Sequence, residues 1–168
     1  MSGVAASMRH KVLATKPVRK VIGLPQVTAM GKRVAPRTDL ALQRLTRGKV
    51  SLVNLCGAPS LVLHTVGRKT GLPRTTPLMC GRADGGFYVV GSNWGQPGHP
   101  GWALNLRADP QASIEDRGRR RPVTARLLEG AERAEAWRVM AGIWPPFDDY
   151  VERSGGREPM VFLLRTSD

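Results

Sequence analysis

The sequence predicts a mainly β (α+β) domain: a small antiparallel barrel of about six strands, interrupted by two or three helices. Three observations predict it. Short apolar runs containing β-branched residues recur from Ser60 onward. The connections between them are mostly brief, which favours antiparallel pairing, and one holds Asp84-Gly85, a strong hairpin dipeptide. Two stretches switch to the three-to-four spacing of an amphipathic helix.

Taken in order, residues 1–37 alternate basic and small apolar side chains and contain Pro17, Pro25 and Pro36. They read as a basic, mobile or weakly helical arm, with residues 38–168 as the folded domain. A short helix is expected in DLALQRLTRG, where Asp39 can cap the start, Leu42 and Leu45 share a face, and Gly48 can end it. SLVLHTV, from Ser60, is the first strand and RTTPLMCGR the second. The Asp84-Gly85 turn leads into FYVVGS. HPGWALNLRADP is a helix that Pro110 must stop. ASIEDRG and PVTARLLEG form a hairpin turning near Gly118. AERAEAWRVMAGIW is the clearer helix, with Ala134, Trp137, Ala141 and Trp144 expected on one face. PMVFLLR is the last strand.

A chain of 168 residues is long enough for one core. Its charge is unevenly spread. Of 26 Lys and Arg and 13 Asp and Glu, residues 1–50 hold eleven basic residues and the single acid Asp39, which leaves fifteen against twelve in the remainder. The excess cation therefore sits in the arm, where nucleic acid or an anionic membrane would be its partner. No aromatic residue precedes Phe87, so the arm has no stacking platform for a single strand, and no specific nucleic-acid partner is expected. Val12, Leu13, Val18, Val21, Ile22 and Leu24 lie between the cations, a mixture that suits a lipid surface. The expected location is cytoplasmic, with the arm peripheral on the inner face of the plasma membrane. No apolar run of membrane-spanning length and no secretory signal is read. Cys56 and Cys80 are too far apart for a CxxC motif, and His10, His64 and His99 are scattered, so no metal site is expected and both thiols read as free and buried.

Familiar catalytic signatures are missing. There is no G-x-S-x-G elbow, P-loop or G-x-G-x-x-G, and the paired acids Glu115-Asp116 and Asp148-Asp149 are sequence neighbours that point apart on a strand. What remains is distributed. GRKTG, residues 67–71, can place backbone N–H groups, a guanidinium and an ammonium around one anion, with His64 a further cation if protonated. Read alone, this turn fits a solvated hairpin better than an anion site. The long Gly- and Pro-rich stretch GSNWGQPGHPGWALNL then shifts the balance, because long structured loops in compact domains tend to be functional. Trp94 and Trp102 are candidates to wall a ring system, the competing reading being that both are core.

LHTVGRKTGLPRTTPL, then DGGFYVVGSNWGQPGHPGWALNLRADP, then WPPFDDY together resemble the deazaflavin-dependent nitroreductase family, over roughly residues 40–165 and with matching order and spacing. The resemblance implies an FMN-binding-like split β-barrel and an F420-dependent oxidoreductase. Such an enzyme passes hydride from reduced coenzyme F420 to a quinone, nitro compound or similar small-molecule acceptor. By position it implies that Arg68, Lys69, Thr70 and Pro77 line the phosphate and tail of the coenzyme. Ser92, Asn93 and Gly95 would follow its ring or linker, and Trp102, Asn105 and Leu106 would come from the helix that closes the pocket. Met79, Trp144 and Phe147 stand where family members often carry tyrosines, which implies a more apolar acceptor pocket and leaves Tyr150 to orient or protonate the acceptor. Asn93-Trp94 replaces a more typical residue followed by glycine. Two alternatives stay open: an FMN- or haem-binding split-barrel protein, and an F420 carrier without enzyme activity. Oligomeric state is not legible.

Overall fold

The structure is a computed structural model that describes residues 58–166. The basic arm, the helix expected at 39–48 and Cys56 lie outside the described residues. Among these residues seven strands form one sheet: β1 (Ser60–Val66), β2 (Pro73–Met79), β3 (Gly81–Ala83), β4 (Gly86–Val90), β5 (Gln111–Asp116), β6 (Arg119–Leu127) and β7 (Val161–Thr166). Three helices accompany them: α1 (Gly101–Ala108), α2 (Gly130–Ile143) and α3 (Phe147–Arg153). The spatial order is β2-β1-β5-β6-β7-β4-β3, and every neighbouring pair is antiparallel.

The two ends of that order, β2 and β3, are separated in sequence by Cys80 alone. One stretch of chain therefore pairs with β1 through its first half and with β4 through its second, and this curls the sheet into a half-barrel. The expected strand RTTPLMCGR is this stretch, divided in two at Cys80 because its halves have different partners. The Cys80 N–H keeps a partner by donating to the Pro59 carbonyl at 3.0 Å. Among the described residues the outer edge of β2 pairs with no strand, which is where Pro73 and Pro77 can be accommodated without losing a ladder bond.

The turns behave as their residues require. Gly85 at φ +67° closes the β3–β4 hairpin, and Arg117 and Gly118 at φ +52° and +75° close β5–β6 between the paired residues Asp116 and Arg119. Strand alternation then builds two cores. Leu61, Leu63, Phe87, Val89, Ile114, Val123, Ala125, Phe162 and Leu164 fill the barrel, with Trp102, Ala103 and Leu106 of α1 packed among them. On the outer face, Val90, Val161 and Leu163 pack under Ala136 and Met140 of α2 and Phe147 and Tyr150 of α3. The unbroken apolar run of β7 follows from this: its alternate residues are buried on both faces.

Two local expectations need correction. The stripe proposed for α2 is displaced: Ala134 is exposed, and Ala136 and Met140 are the fully buried positions. The segment WPPFDDY holds a third helix, α3, entered through Pro145 and Pro146 and ending in Arg153.

Gly86 marks the tightest approach in the sheet. A Cβ there would run into the backbone carbonyl oxygen of Leu164 on β7, which cannot move without shifting the ladder. Gly98 has open space around it. Gly86→Ala is expected to lower unfolding free energy by about 2–4 kcal/mol, the range for strain in a packed interior, and Gly98→Ala by less than about 0.5 kcal/mol. Parallel urea titrations check the pair, and equal midpoints would contradict the register described here.

Candidate active site

The cationic turn joins β1 to β2. Its backbone closes through Gly67 N–H to Leu72 O at 2.8 Å, and Thr70 and Gly71 N–H to Gly67 O at 3.0 and 2.7 Å. The Thr70 hydroxyl is used inside the turn, accepting from Leu72 N–H at 3.4 Å and from Arg74 Nη2 at 3.3 Å. Arg68, Lys69 and Arg74 are exposed and take part in no ion pair among the described residues. Val66 and Leu72, at 50% and 57% exposure, flank them with apolar surface. The turn thus offers uncompensated cations beside apolar patches, which fits a ligand carrying both anionic groups and flat apolar parts.

His64 does not join this set. Burial and the nearby Arg120 lower its pKa, and they outweigh the carboxylate of Glu115, which is 4.0 Å away and raises it. The imidazole is neutral at pH 7, with Nδ1 within 3.2 Å of the Thr75 hydroxyl.

Asn105, on α1, ties the turn to the body of the fold. Its side-chain oxygen accepts from the Arg68 N–H at 3.2 Å and from Arg68 Nη1 at 3.4 Å, while its Nδ2 donates to the Thr65 hydroxyl at 3.2 Å. The residue is buried, so this amide orients the turn rather than standing open to solvent. Trp102 and Leu106 lie behind it in the barrel core, with Trp102 tilted against Phe162 at 6.1 Å. The core reading of Trp102 is the one realised.

The second half of the site is the loop after β4. Asn93, Trp94 and Gly95 all have positive φ, at 49°, 57° and 73°. Left-handed backbone costs an L-residue roughly 1–2 kcal/mol, and a bulky Trp there is an outlier. This accounts for the glycine more usual at position 94. The loop is held by Asn93 Nδ2 donating to Gly98 O at 2.8 Å and by backbone bonds from Gly95 to Ser92 and from Gln96 to Asn93, both at 3.1 Å. Gly95 packs directly on the backbone of Tyr150.

Arg157 does more for this loop than any residue named from sequence. Its guanidinium donates to Gln96 O at 3.1 Å, Gly91 O at 3.2 Å, Ser92 O at 2.7 Å and His99 Nδ1 at 3.0 Å. Arginine cannot accept, so Nδ1 of His99 does, and the His99 proton sits on Nε2. Burial, then Arg157 and Arg107, lower the His99 pKa, which keeps that acceptor available near neutral pH. The only local signal in the sequence was one Arg in the Gly-rich segment SGGREP; its partners are about 60 residues away.

The acceptor-pocket candidates also come together. Met79, Trp94 and Trp144 are partly buried against the outer core that contains Phe147 and Tyr150. Tyr150 is 3% exposed; Trp94 tilts against its ring at 6.4 Å, Phe147 meets it edge-on at 6.2 Å, and the Arg153 guanidinium lies 5.3 Å from its centroid. Its hydroxyl accepts from Trp144 Nε1 at 3.4 Å, and burial raises its pKa. β2 connects the two groups of candidates. Its seven residues, about 20 Å of strand, run from the cationic turn past the half-buried Pro77 to Met79. A separate hollow of about 440 Å³ between α2 and α3 is lined by Asp148, Glu152 and Glu158 and by none of these candidates.

The chain is similar to several known proteins. A family model described as F420H(2)-dependent quinone reductase matches residues 35–165. F420H(2)-dependent quinone reductase Rv1261c of Mycobacterium tuberculosis is 34% identical over 128 residues, which cover 74% of this chain and 86% of that protein. A solved F420-H2 dependent reductase, FDR-A, is 35% identical with a TM-score of 0.58, covering 64% of this chain and 94% of that one. A chain solved as a domain-swapped dimer is 31% identical with a TM-score of 0.60, over 77% of this chain and 99% of its own.

Arg157→Lys keeps the charge but replaces a planar fork by a point donor. It is expected to cost about 2–4 kcal/mol of stability, the scale for losing more than one charge-assisted bond. Hydrogen exchange should rise within residues 91–99 and stay unchanged in β5 and β6. Uniform acceleration across the sheet would contradict a local role.

Proposed function

Because the chain belongs to the F420H(2)-dependent quinone reductase family, we propose that its cationic turn and the left-handed loop after β4 hold coenzyme F420 while a quinone docks beside Met79. The chain is an F420-dependent oxidoreductase of split-barrel fold. The observation that carries the residue assignment is that Arg68, Lys69 and Arg74 are exposed and in no ion pair among the described residues, at one end of a strand whose other end meets the aromatic cluster. The phosphate and glutamate tail of F420 are anionic and suit the turn; its ring suits the apolar end. Bound there, the reduced coenzyme supplies the hydride.

The protein's own contribution is binding, orientation and exclusion of water. Arg68 and Lys69 hold the anionic groups, and Thr70 and Asn105 shape the turn that presents them. Ser92, Asn93 and Gly95 form the fixed backbone along the ring, with Arg157 fastening it. Met79, Trp144 and Phe147 give an apolar acceptor pocket, which favours a flat quinone. Tyr150 works as a positioning residue: its buried hydroxyl fixes the Trp144 indole. Trp102 and Leu106 support the site from the barrel core.

We assign the basic arm, residues 1–37, to the surface of an anionic membrane, where a quinone would be dissolved. Its eight Lys and Arg and no acid support this, each basic residue near such a surface contributing about 1 kcal/mol. No helix among the described residues is long and apolar enough to cross a membrane.

Arg68→Ala and Lys69→Ala are each expected to weaken F420 binding by about 1–3 kcal/mol. Fluorescence titration of the coenzyme measures this, and unchanged affinity in both folded variants would overturn the site. Separately, the full-length protein should co-sediment with anionic but not neutral vesicles, less so at high salt. Deletion of residues 1–37 should abolish the effect; equal pelleting of both proteins would dismiss the membrane assignment.

A further inference from the structure

The barrel has a second cationic feature, at the end opposite the turn. β1 spans seven residues, about 20 Å, from Val66 at the turn to Ser60. Beyond the Ser60 end, Arg82 of β3, Asp116, Arg117 of the β5–β6 turn, and Arg119 and Arg121 of β6 line a hollow of about 480 Å³. Four guanidiniums and one carboxylate leave a surplus of three positive charges.

Strand alternation makes this arrangement unusual. Val123 and Ala125 of β6 point into the barrel core, so Arg121 and Arg119 occupy the next inward positions on the same stripe. Asp116 continues the inward stripe of Ala112 and Ile114 and is 8% exposed. Arg120, one residue out of phase, turns to the other face and donates to Ser113 Oγ at 3.0 Å. The mouth of the barrel is thus rimmed by charge where apolar side chains would be expected: Asp116 is buried and Arg121 half-buried, while Arg82, Arg117 and Arg119 are exposed.

Those charges are incompletely satisfied. Arg121 Nη2 is 3.5 Å from Asp116 Oδ2, a loose contact, and Arg121 Nε is buried with no hydrogen-bond partner among the described residues. A buried donor without a partner is costly and calls for an acceptor. Arg82 of β3 and Asp116 of β5 face one another across this hollow, and the buried Cys80 lies close by, its pKa raised to about 12 by burial and Asp116 and pulled the other way by Arg82. Between Arg119 and Pro122, β6 pairs with β5 alone among the described residues, so an inward charge would also guard a short edge there. A guard needs one charge. It does not need a buried carboxylate, a third arginine from a turn and a fourth from β3.

We propose that this four-arginine mouth binds a phosphate group, carried by a soluble phosphate ester or by an anionic lipid headgroup. Planar guanidiniums converging on one hollow match the bidentate geometry of phosphate oxygens, and the surplus charge exceeds what a single carboxylate would neutralise. The site is independent of the coenzyme assignment, because Arg68 and Lys69 lie at the far end of β1.

Calorimetric titration of the full-length protein with inorganic phosphate, at ionic strength matched with chloride, tests it. Arg119→Gln combined with Arg121→Gln should weaken phosphate binding by about tenfold or more, as expected for loss of charge-assisted bonds. Arg68→Ala combined with Lys69→Ala should leave that binding in place. If the first pair impairs folding, Arg82→Gln with Arg117→Gln removes two guanidiniums from the rim and should give the same loss. Phosphate binding unaffected by both arginine pairs, or reproduced by chloride alone, would overturn the proposal. Titration with pyrophosphate and with soluble dihexanoylphosphatidic acid then separates the sources: tighter binding of the short-chain lipid marks a headgroup site, and tighter pyrophosphate a soluble ester.

Discussion

The structure depends on one change of partner. Between residues 73 and 83 a single stretch of chain leaves β1 and takes up β4, with the Cys80 N–H bridging the change through the Pro59 carbonyl. This curls the sheet, makes an interior that Phe87, Ile114 and Phe162 can fill, and leaves the outer edge of β2 without a strand among the described residues. An unpaired edge inside a domain is usually a liability. Here it runs beside the candidate site, and its prolines, Pro73 and Pro77, fit an edge whose N–H groups need no strand partner.

The irregular parts of the site are each held by one buried or half-buried polar side chain from elsewhere. Asn105 satisfies the Arg68 N–H and the Thr65 hydroxyl together, and Arg157 satisfies three loop carbonyls and an imidazole. Loops with few backbone partners of their own need such donors if their polar groups are to leave water without loss. The arrangement also explains how Trp94 can stay left-handed. Its backbone strain is offset by the bonds around it and by its packing on Tyr150. A glycine would need less support but would leave no indole beside the aromatic cluster.

Among the described residues, cations in excess of their carboxylate partners gather at two ends of the same barrel. At the turn they are exposed and flanked by apolar residues; at the far mouth they line a hollow and share one carboxylate. The body of the protein is otherwise near charge balance, so neither group follows from bulk composition. Both are local departures from the pairing seen in Arg126–Glu132, Arg133–Glu158 and Arg138–Glu135.

Much of this was legible beforehand, and for a physical reason. Strands, hairpins and the stop at Pro110 depend on residues within one turn or one alternation of each other, so Asp84-Gly85, Gly118 and the apolar run of β7 could be read directly. Arg68, Lys69 and the loop at 92–95 became candidates through three spaced motifs, whereas the order of the strands was not legible. What the sequence left undecided needed distant residues to meet. Whether Ala134 or Ala136 faces the sheet depends on what α2 packs against. Whether Trp102 and Tyr150 reach a ligand or sit in a core depends on Phe162, Trp94 and Phe147. The role of Arg157 depends on carbonyls some 60 residues earlier, and Arg119 and Arg121 become inward-facing only when the barrel closes. Local chemistry sets which element forms. Burial, which needs the whole chain in place, sets what each side chain can do there.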